Sequence, residues 1–185
     1  RHLVRRSDPL TMPAISAPPA PAGNRDVAIQ STGQSFGDPA TLRNLTLNGA
    51  AGDHAVPAGT YGSFDANGTS GFILGEAGAT APVVYNLQRL TLNGNARLQL
   101  VSPVVLVLAR GGSIDGGATV TGDPEWLTLA VASDGLTLNG NASFLGSVVA
   151  PSGTVTINGN ATLTGHVASD RLTINGNGLL EEATP

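Results

Sequence analysis

One phrase recurs along this chain with small changes. It reads NLTLNGA at 44–50, RLTLNGNA at 89–96, GLTLNGNA at 135–142 and RLTINGNG at 171–178. A longer form appears as GSIDGGATVTG at 112–122 and again as VTINGNATLTG at 155–165. Aligned on the residue before or at the bend, the phrase falls on Asn48, Asp65, Asn93, Asp115, Asn139, Asn158 and Asn175, with spacings of 17, 28, 22, 24, 19 and 17. Self-similarity with a period of about 20 residues is the signature of a solenoid, in which each repeat buries its apolar face only against its neighbours.

Asn-Gly between apolar residues is also a strong hairpin signal. An antiparallel meander of short strands, however, turns every ~8–12 residues, and here the same turn returns only after about twice that distance. The spacing therefore predicts one coil of a parallel β-helix per repeat, with Asn-Gly at a corner where positive φ costs glycine nothing. Within LTLNG the residues alternate. Leu45, Leu90, Leu136, Val155 and Leu172 form one inward column, and Leu47, Leu92, Ile114, Leu138, Ile157 and Ile174 a second. Thr46, Thr91, Ser113, Thr137, Thr156 and Thr173 form a column facing outward. Asn48, Asn93, Asp115, Asn139, Asn158 and Asn175 are expected to stack at the corners as a hydrogen-bonded ladder, with Ala96, Ala118, Ala142 and Ala161 filling the narrow core just beyond. The expected fold is all-β: a single-domain parallel β-helix of about seven irregular coils, ~35 Å long at ~4.8 Å per coil.

Composition agrees with this. Only 12% of residues are charged and 4% aromatic, while 25 glycines and 12 prolines break the chain into short segments. Six of those prolines lie in the first 40 residues, at 9, 13, 18, 19, 21 and 39. Residues 1–41 are thus expected to be an extended Pro-rich arm or linker, and residues 42–185 the β-helix. The first residue is Arg1 rather than Met, so a leader or anchor removed upstream is expected.

A net charge of −4, with no basic cluster beyond Arg1, Arg5 and Arg6, argues against a nucleic-acid partner. The sequence has no cysteine and no lysine, so disulfides, thiolate metal sites and lysine-linked isopeptide bonds are excluded. No apolar run reaches the length of a membrane-spanning helix.

The stretches PAGTYGSFD at 57–65, SPVVLVLARGGSIDGGATVTG at 102–122 and PEWLTLAVASDGLTLNGNASFLGSVVAPSGTVTINGNATLTGHVAS at 124–169 resemble bacterial surface and exported β-helical domains. These are the domains of choice-of-anchor proteins and of accessory proteins of type IV pilus systems. The resemblance covers about residues 44–180. It implies an extracellular or cell-envelope location in a bacterium and a scaffold or adhesive role, with no catalytic residues to carry over. A looser resemblance is to bactofilins, β-helices with unstructured flanks that polymerise end to end; their coils are shorter and more uniform than these.

Enzyme chemistry has little footing. The acids are thinly spread, and Asp123 and Glu125 around Pro124 make the one close acidic pair inside the repeats. His2, His54 and His166 share no metal-binding spacing, and no phosphate-binding loop, dinucleotide fingerprint or nucleophile elbow is present. No cofactor or metal is expected. The expected function is that of a non-catalytic extracellular structural protein. Copies would assemble into a fibre or surface layer by end-to-end stacking or by exchange of the N-terminal arm. Two alternatives are an adhesin that binds a surface glycan, with Trp126 as a ligand contact, and an ice-binding solenoid built on the outward threonines.

Overall fold

The computed structural model describes residues 11–183 and is nearly all β. The first coils contain β1 (Arg25–Ser31), β2 (Leu42–Ala50), β3 (Asp53–Ala55), β4 (Gly59–Ala66) and β5 (Gly71–Leu74). The middle contains β6 (Val83–Leu92), β7 (Arg97–Leu100), β8 (Val104–Leu108), β9 (Gly112–Ile114) and β10 (Thr119–Thr121). The last coils contain β11 (Leu127–Val131), β12 (Asp134–Leu138), β13 (Ser143–Leu145), β14 (Ser147–Ile157), β15 (Thr162–Thr164), β16 (Val167–Ile174) and β17 (Leu179–Glu181). Every pairing among them is parallel, in one 10-stranded and one 7-stranded sheet. No hairpin forms at any Asn-Gly among the described residues. The chain is a parallel β-solenoid.

Register gives the coil count. Ile29, Leu47, Ala66, Leu92, Ile114, Leu138, Ile157 and Ile174 lie in one inward column, which makes eight coils rather than seven. The additional coil comes from the region expected to be arm. Arg25–Ser31 alternates more and less exposed residues, and its Val27 and Ile29 align with Leu45 and Leu47. Proline density ahead of it obscures a strand that tertiary pairing selects. The solenoid therefore begins at residue 25, ahead of the expected boundary at 42.

The remaining stacks complete the cross-section. β3, β5, β7, β10, β13, β15 and β17 form the second sheet, while the first half of β6 pairs with β8 and its second half with β9. β14 is long for the same reason, pairing with β11 through Val148 and with β12 through Val155. Such strands bend around a corner, so one sheet wraps two sides of the stack. The core inside is one continuous apolar column. Its largest members, Tyr85, Phe64, Phe72 and Phe144, are almost fully buried, with Phe64 stacked on Phe72 at a centroid separation of 4.9 Å.

Before the first strand, the arm lies on the body. The Gln88 amide donates to the Pro19 carbonyl at 2.9 Å. Met12, Ile15, Pro18 and Pro21 are half-buried while most residues between them are exposed, a period of three that matches the three residues per turn of polyproline II.

Candidate functional site

The most regular structure on the surface is the corner. In each copy the residue after the Asn or Asp is a glycine with φ between 58° and 76°: Gly49, Gly68, Gly94, Gly116, Gly140, Gly159 and Gly176. The amide three residues beyond the Asn closes the bend, as in Ala142 N to Asn139 O at 3.4 Å and Ala161 N to Asn158 O at 3.2 Å. Positive φ at the first central residue only is the sign pattern of a type II′ turn. Here it turns a corner instead of making a hairpin, because the amide after the glycine bonds the coil below, as Asn141 N does to Gly116 O at 2.6 Å.

The corner side chains stack in a hydrogen-bonded ladder in which Asn67 stands between Asn48 and Asn93. Asn67 donates to Asn48 at 3.0 Å and Asn93 to Asn67 at 2.9 Å. Asn158 donates to Asn139 at 2.7 Å and Asn175 to Asn158 at 2.8 Å. The corner of the second copy is thus Asn67, whereas Asp65 sits two residues earlier in the outward column between Thr46 and Thr91. The Asn67-Gly68 dipeptide carried the signal. Asp115 accepts from Asn139, but a carboxylate has no proton to pass to Asn93, so the donor chain breaks there. A second ladder, which the repeat alignment did not separate from the first, runs outside it: Asn160 donates to Asn141 at 3.1 Å and Asn177 to Asn160 at 3.0 Å.

The outward column is in register as Thr46, Asp65, Thr91, Ser113, Thr137, Thr156 and Thr173. Its members are half-buried, and Asp65 and Ser113 interrupt the run of threonines. Just past each corner, Ala96, Ala118, Ala142 and Ala161 are buried. The same place in the second copy is held by Ser70, whose hydroxyl satisfies itself on Asn67 O at 2.8 Å.

Concave surface with polar lining occurs beside the acidic pair. Asp123, Pro124, Glu125, Ser147, Gly165 and His166 line a groove of about 540 Å³. Trp126 does not line it; this side chain is half-buried and packs against the core. His54 lies across the stack, its ring edge-on to Phe36 at 6.4 Å, and His2 is outside the described residues. Among the described residues no cluster of three or more His, Cys, Asp or Glu could hold a metal, and no helix is long and apolar enough to cross a membrane.

Shifted pKa values mark structure. The Arg43 guanidinium beside Asp26 holds that carboxyl below its usual range, and Asn44 adds a hydrogen bond. Burial pushes the Tyr61 phenol up to about 12, with Tyr85 nearby adding to it. Tyr85 is also raised, first by burial; its hydroxyl donates to Val56 O at 2.8 Å and accepts from Gly75 N at 3.0 Å.

The two ends of the stack differ from each other. At the first coil, Gln34 Oε1 accepts from the amides of Gln30 and Ser31 at 2.7 and 3.1 Å. Arg25 donates to Thr41 Oγ1 and Asp38 O at 3.1 and 2.9 Å, and Phe36 packs on the core. At the last coil, among the described residues, β16 pairs only with β14 and β17 only with β15. Leu172, Ile174 and Leu179 are 41%, 45% and 44% exposed.

Fold and surface define a class: an in-register parallel β-solenoid with stacked amide corners, one closed end and, among the described residues, one open end. Compared with protein-family models, curated proteins and solved structures, the chain has no match.

Proposed function

We propose that this protein is a non-catalytic structural component of a bacterial cell surface or extracellular matrix, whose copies assemble into a fibre or layer. The observation that carries this reading is the open last coil. An apolar rung with free strand edges is a template for another segment of chain, and a solenoid that remains single closes both ends with polar caps. The closed first coil disfavours direct end-to-end stacking. Exchange of the N-terminal arm onto a neighbour's last coil is the mode that suits these ends, and head-to-tail exchange propagates instead of closing. The extracellular, bacterial part rests on the resemblance of the repeat phrases to exported β-helical domains.

Sedimentation and electron microscopy of the purified chain over a hundredfold concentration range test the proposal. Concentration-dependent linear species that disappear in the Ile174→Arg variant are expected. A single monomeric species throughout would overturn it.

A second reading, as an adhesin, draws on the groove between Asp123, Glu125 and His166, since carboxylates and an imidazole suit the hydroxyls of a sugar. Glycan-array binding that is lost in Glu125→Gln would favour it; an array with no binding would remove it.

A further inference from the structure

We propose that the notch between Arg89 and Asp134 is a binding site for one sugar unit that carries a carboxylate, a hexuronate of an acidic glycan. The site lies apart from the groove at Asp123 and Glu125, and it does not depend on assembly.

The notch comes from the stack itself. Beside the outward column of Thr91, Ser113 and Thr137 runs a second one, two residues earlier on each strand: Ser63, Arg89, Gly111, Gly135, Thr154 and Arg171. At Gly111 and Gly135 this column has no side chain. Close backbone contact demands glycine at both, since a Cβ on Gly111 would stand 2.8 Å from Gly135 O and one on Gly135 would run into Thr154 O. The result is a cavity of about 200 Å³, lined by Arg89, Ser113, Asp134 and Thr137 over a floor of glycine backbone.

The polar groups of the notch are not used elsewhere. Arg25, Arg43 and Arg97 each bond a nearby side chain or carbonyl. Arg89, Asp134 and the hydroxyls of Ser113 and Thr137, by contrast, enter no ion pair or side-chain hydrogen bond among the described residues.

Asp134 is held in a strained conformation. Among the described residues it is the one non-glycine with positive φ, 67°, and Gly135 N donates across it to Ser133 O at 2.8 Å, the bond that closes a γ-turn of the rare, strained kind. Ser133 Oγ, donating to Ala109 O at 3.0 Å, and Ala132 N, donating to Leu108 O at 2.9 Å, tie this turn to the coil below. Strain fixed by its surroundings in this way concentrates at positions that hold ligands.

Chemistry selects the ligand. Arg89 and Asp134 stand two rungs apart along the stack, ~10 Å, which leaves room for one pyranose ring with a hydrogen bond of ~2.8 Å on each side. A guanidinium pairs bidentately with a carboxylate, so the sugar's carboxylate belongs at Arg89. Asp134, an acceptor only when ionised, takes the ring hydroxyls at the other side, and Ser113 and Thr137 donate or accept between them. A phosphate, with more negative charge, would be repelled by Asp134.

Glucuronate and glucose differ in the carboxylate alone, and acetate supplies the carboxylate without the ring. Each is titrated to ~50 mM into the isotope-labelled full chain, because a single ring on an open surface binds near ~1 mM or more weakly, and amide shifts are read by NMR. Glucuronate should shift Gly111–Ser113 and Asp134–Thr137. Glucose and acetate should each bind about tenfold more weakly, the first for want of the charged hydrogen bonds to Arg89 and the second for want of the hydroxyls. Arg89→Gln should weaken glucuronate binding about tenfold with an unchanged urea midpoint, as Arg89 is exposed. No shift at all, shifts elsewhere, equal affinity for glucose or acetate, or glucuronate binding that survives Arg89→Gln would overturn the inference. Loss of binding in Glu125→Gln but not in Arg89→Gln would move the sugar to the groove at Asp123, which overturns this site and supports the adhesin reading there.

Discussion

Ile29 and Ile174 occupy the same inward column, seven rungs apart, yet Ile29 is 1% exposed and Ile174 45%. The local conformation is the same at both. The difference lies in the chain that comes after each rung. After β1 the chain makes one further half-coil below the core, and Gln34, Phe36 and Arg25 satisfy or cover the groups that β1 leaves open. At the last coil no described residue covers Leu172, Ile174 and Leu179, which are 41%, 45% and 44% exposed. A solenoid coil is thus equivalent to its neighbours everywhere except where it has one neighbour, and there the fate of the apolar column is decided by a few residues outside the repeat.

The largest effect should come from truncating that column at each end. Ile29→Ala removes a filled core position and is expected to cost about 3 kcal/mol, while Ile174→Ala should cost under ~1 kcal/mol, read from urea midpoints. Equal costs would mean that the two ends are equally covered. Next is the corner. A Cβ on Gly140 would stand 2.8 Å from Gly116 O, whereas one on Gly49, at the first corner, meets nothing within 4 Å. Both have positive φ, so Gly49→Ala should cost about 1–2 kcal/mol from backbone strain alone. Gly140→Ala should cost at least ~1 kcal/mol more, as the coil below must shift.

A smaller effect, and a gain, is expected at the break in the ladder. Asp115→Asn supplies the missing donor toward Asn93 and should stabilise the chain by about 1 kcal/mol, seen as a raised urea midpoint; no change would show that the two halves of the ladder are energetically independent. The smallest concerns pH. The Asp26 pKa is lower in the folded chain, so its contribution is present above the unfolded value near ~4 and is lost as pH falls through the folded value. Acid should therefore speed hydrogen exchange of Val27–Ile29 before that of Leu136–Leu138. At the alkaline side Tyr61 has the opposite sign: raised to about 12, its contribution is complete below ~10 and is lost as pH climbs toward the folded value. Absorbance titration of the two tyrosines should show ionisation above the free phenol range, returning to it on unfolding.

Several features could be read directly from residues. The alternation in LTLNG assigns Leu136 and Leu138 inward and Thr137 outward, and the return of Asn-Gly after about 20 residues excludes a meander. Asn67-Gly68 is readable as the second corner, but period-two patterning in SFDA does not say where the strand stops, so it does not separate Asn67 from Asp65. The strand in RDVAIQS follows a proline-rich stretch, and its pairing partner is supplied by β2. Trp126 shows a related limit: alternation places it beside Thr128, while its contacts with the core depend on the bend at Asp123–Glu125.

Sequence alone determined the coil, the corner and the faces, because each depends on contacts between a repeat and the next copy of itself, and identical neighbours make identical demands. Only the tertiary structure decided where the stack begins, how its first coil closes, where the arm lies and that Leu172, Ile174 and Leu179 stand open. Those depend on contacts between segments with no common pattern, such as Gln34 with β1 and Gln88 with Pro19, which no periodicity encodes.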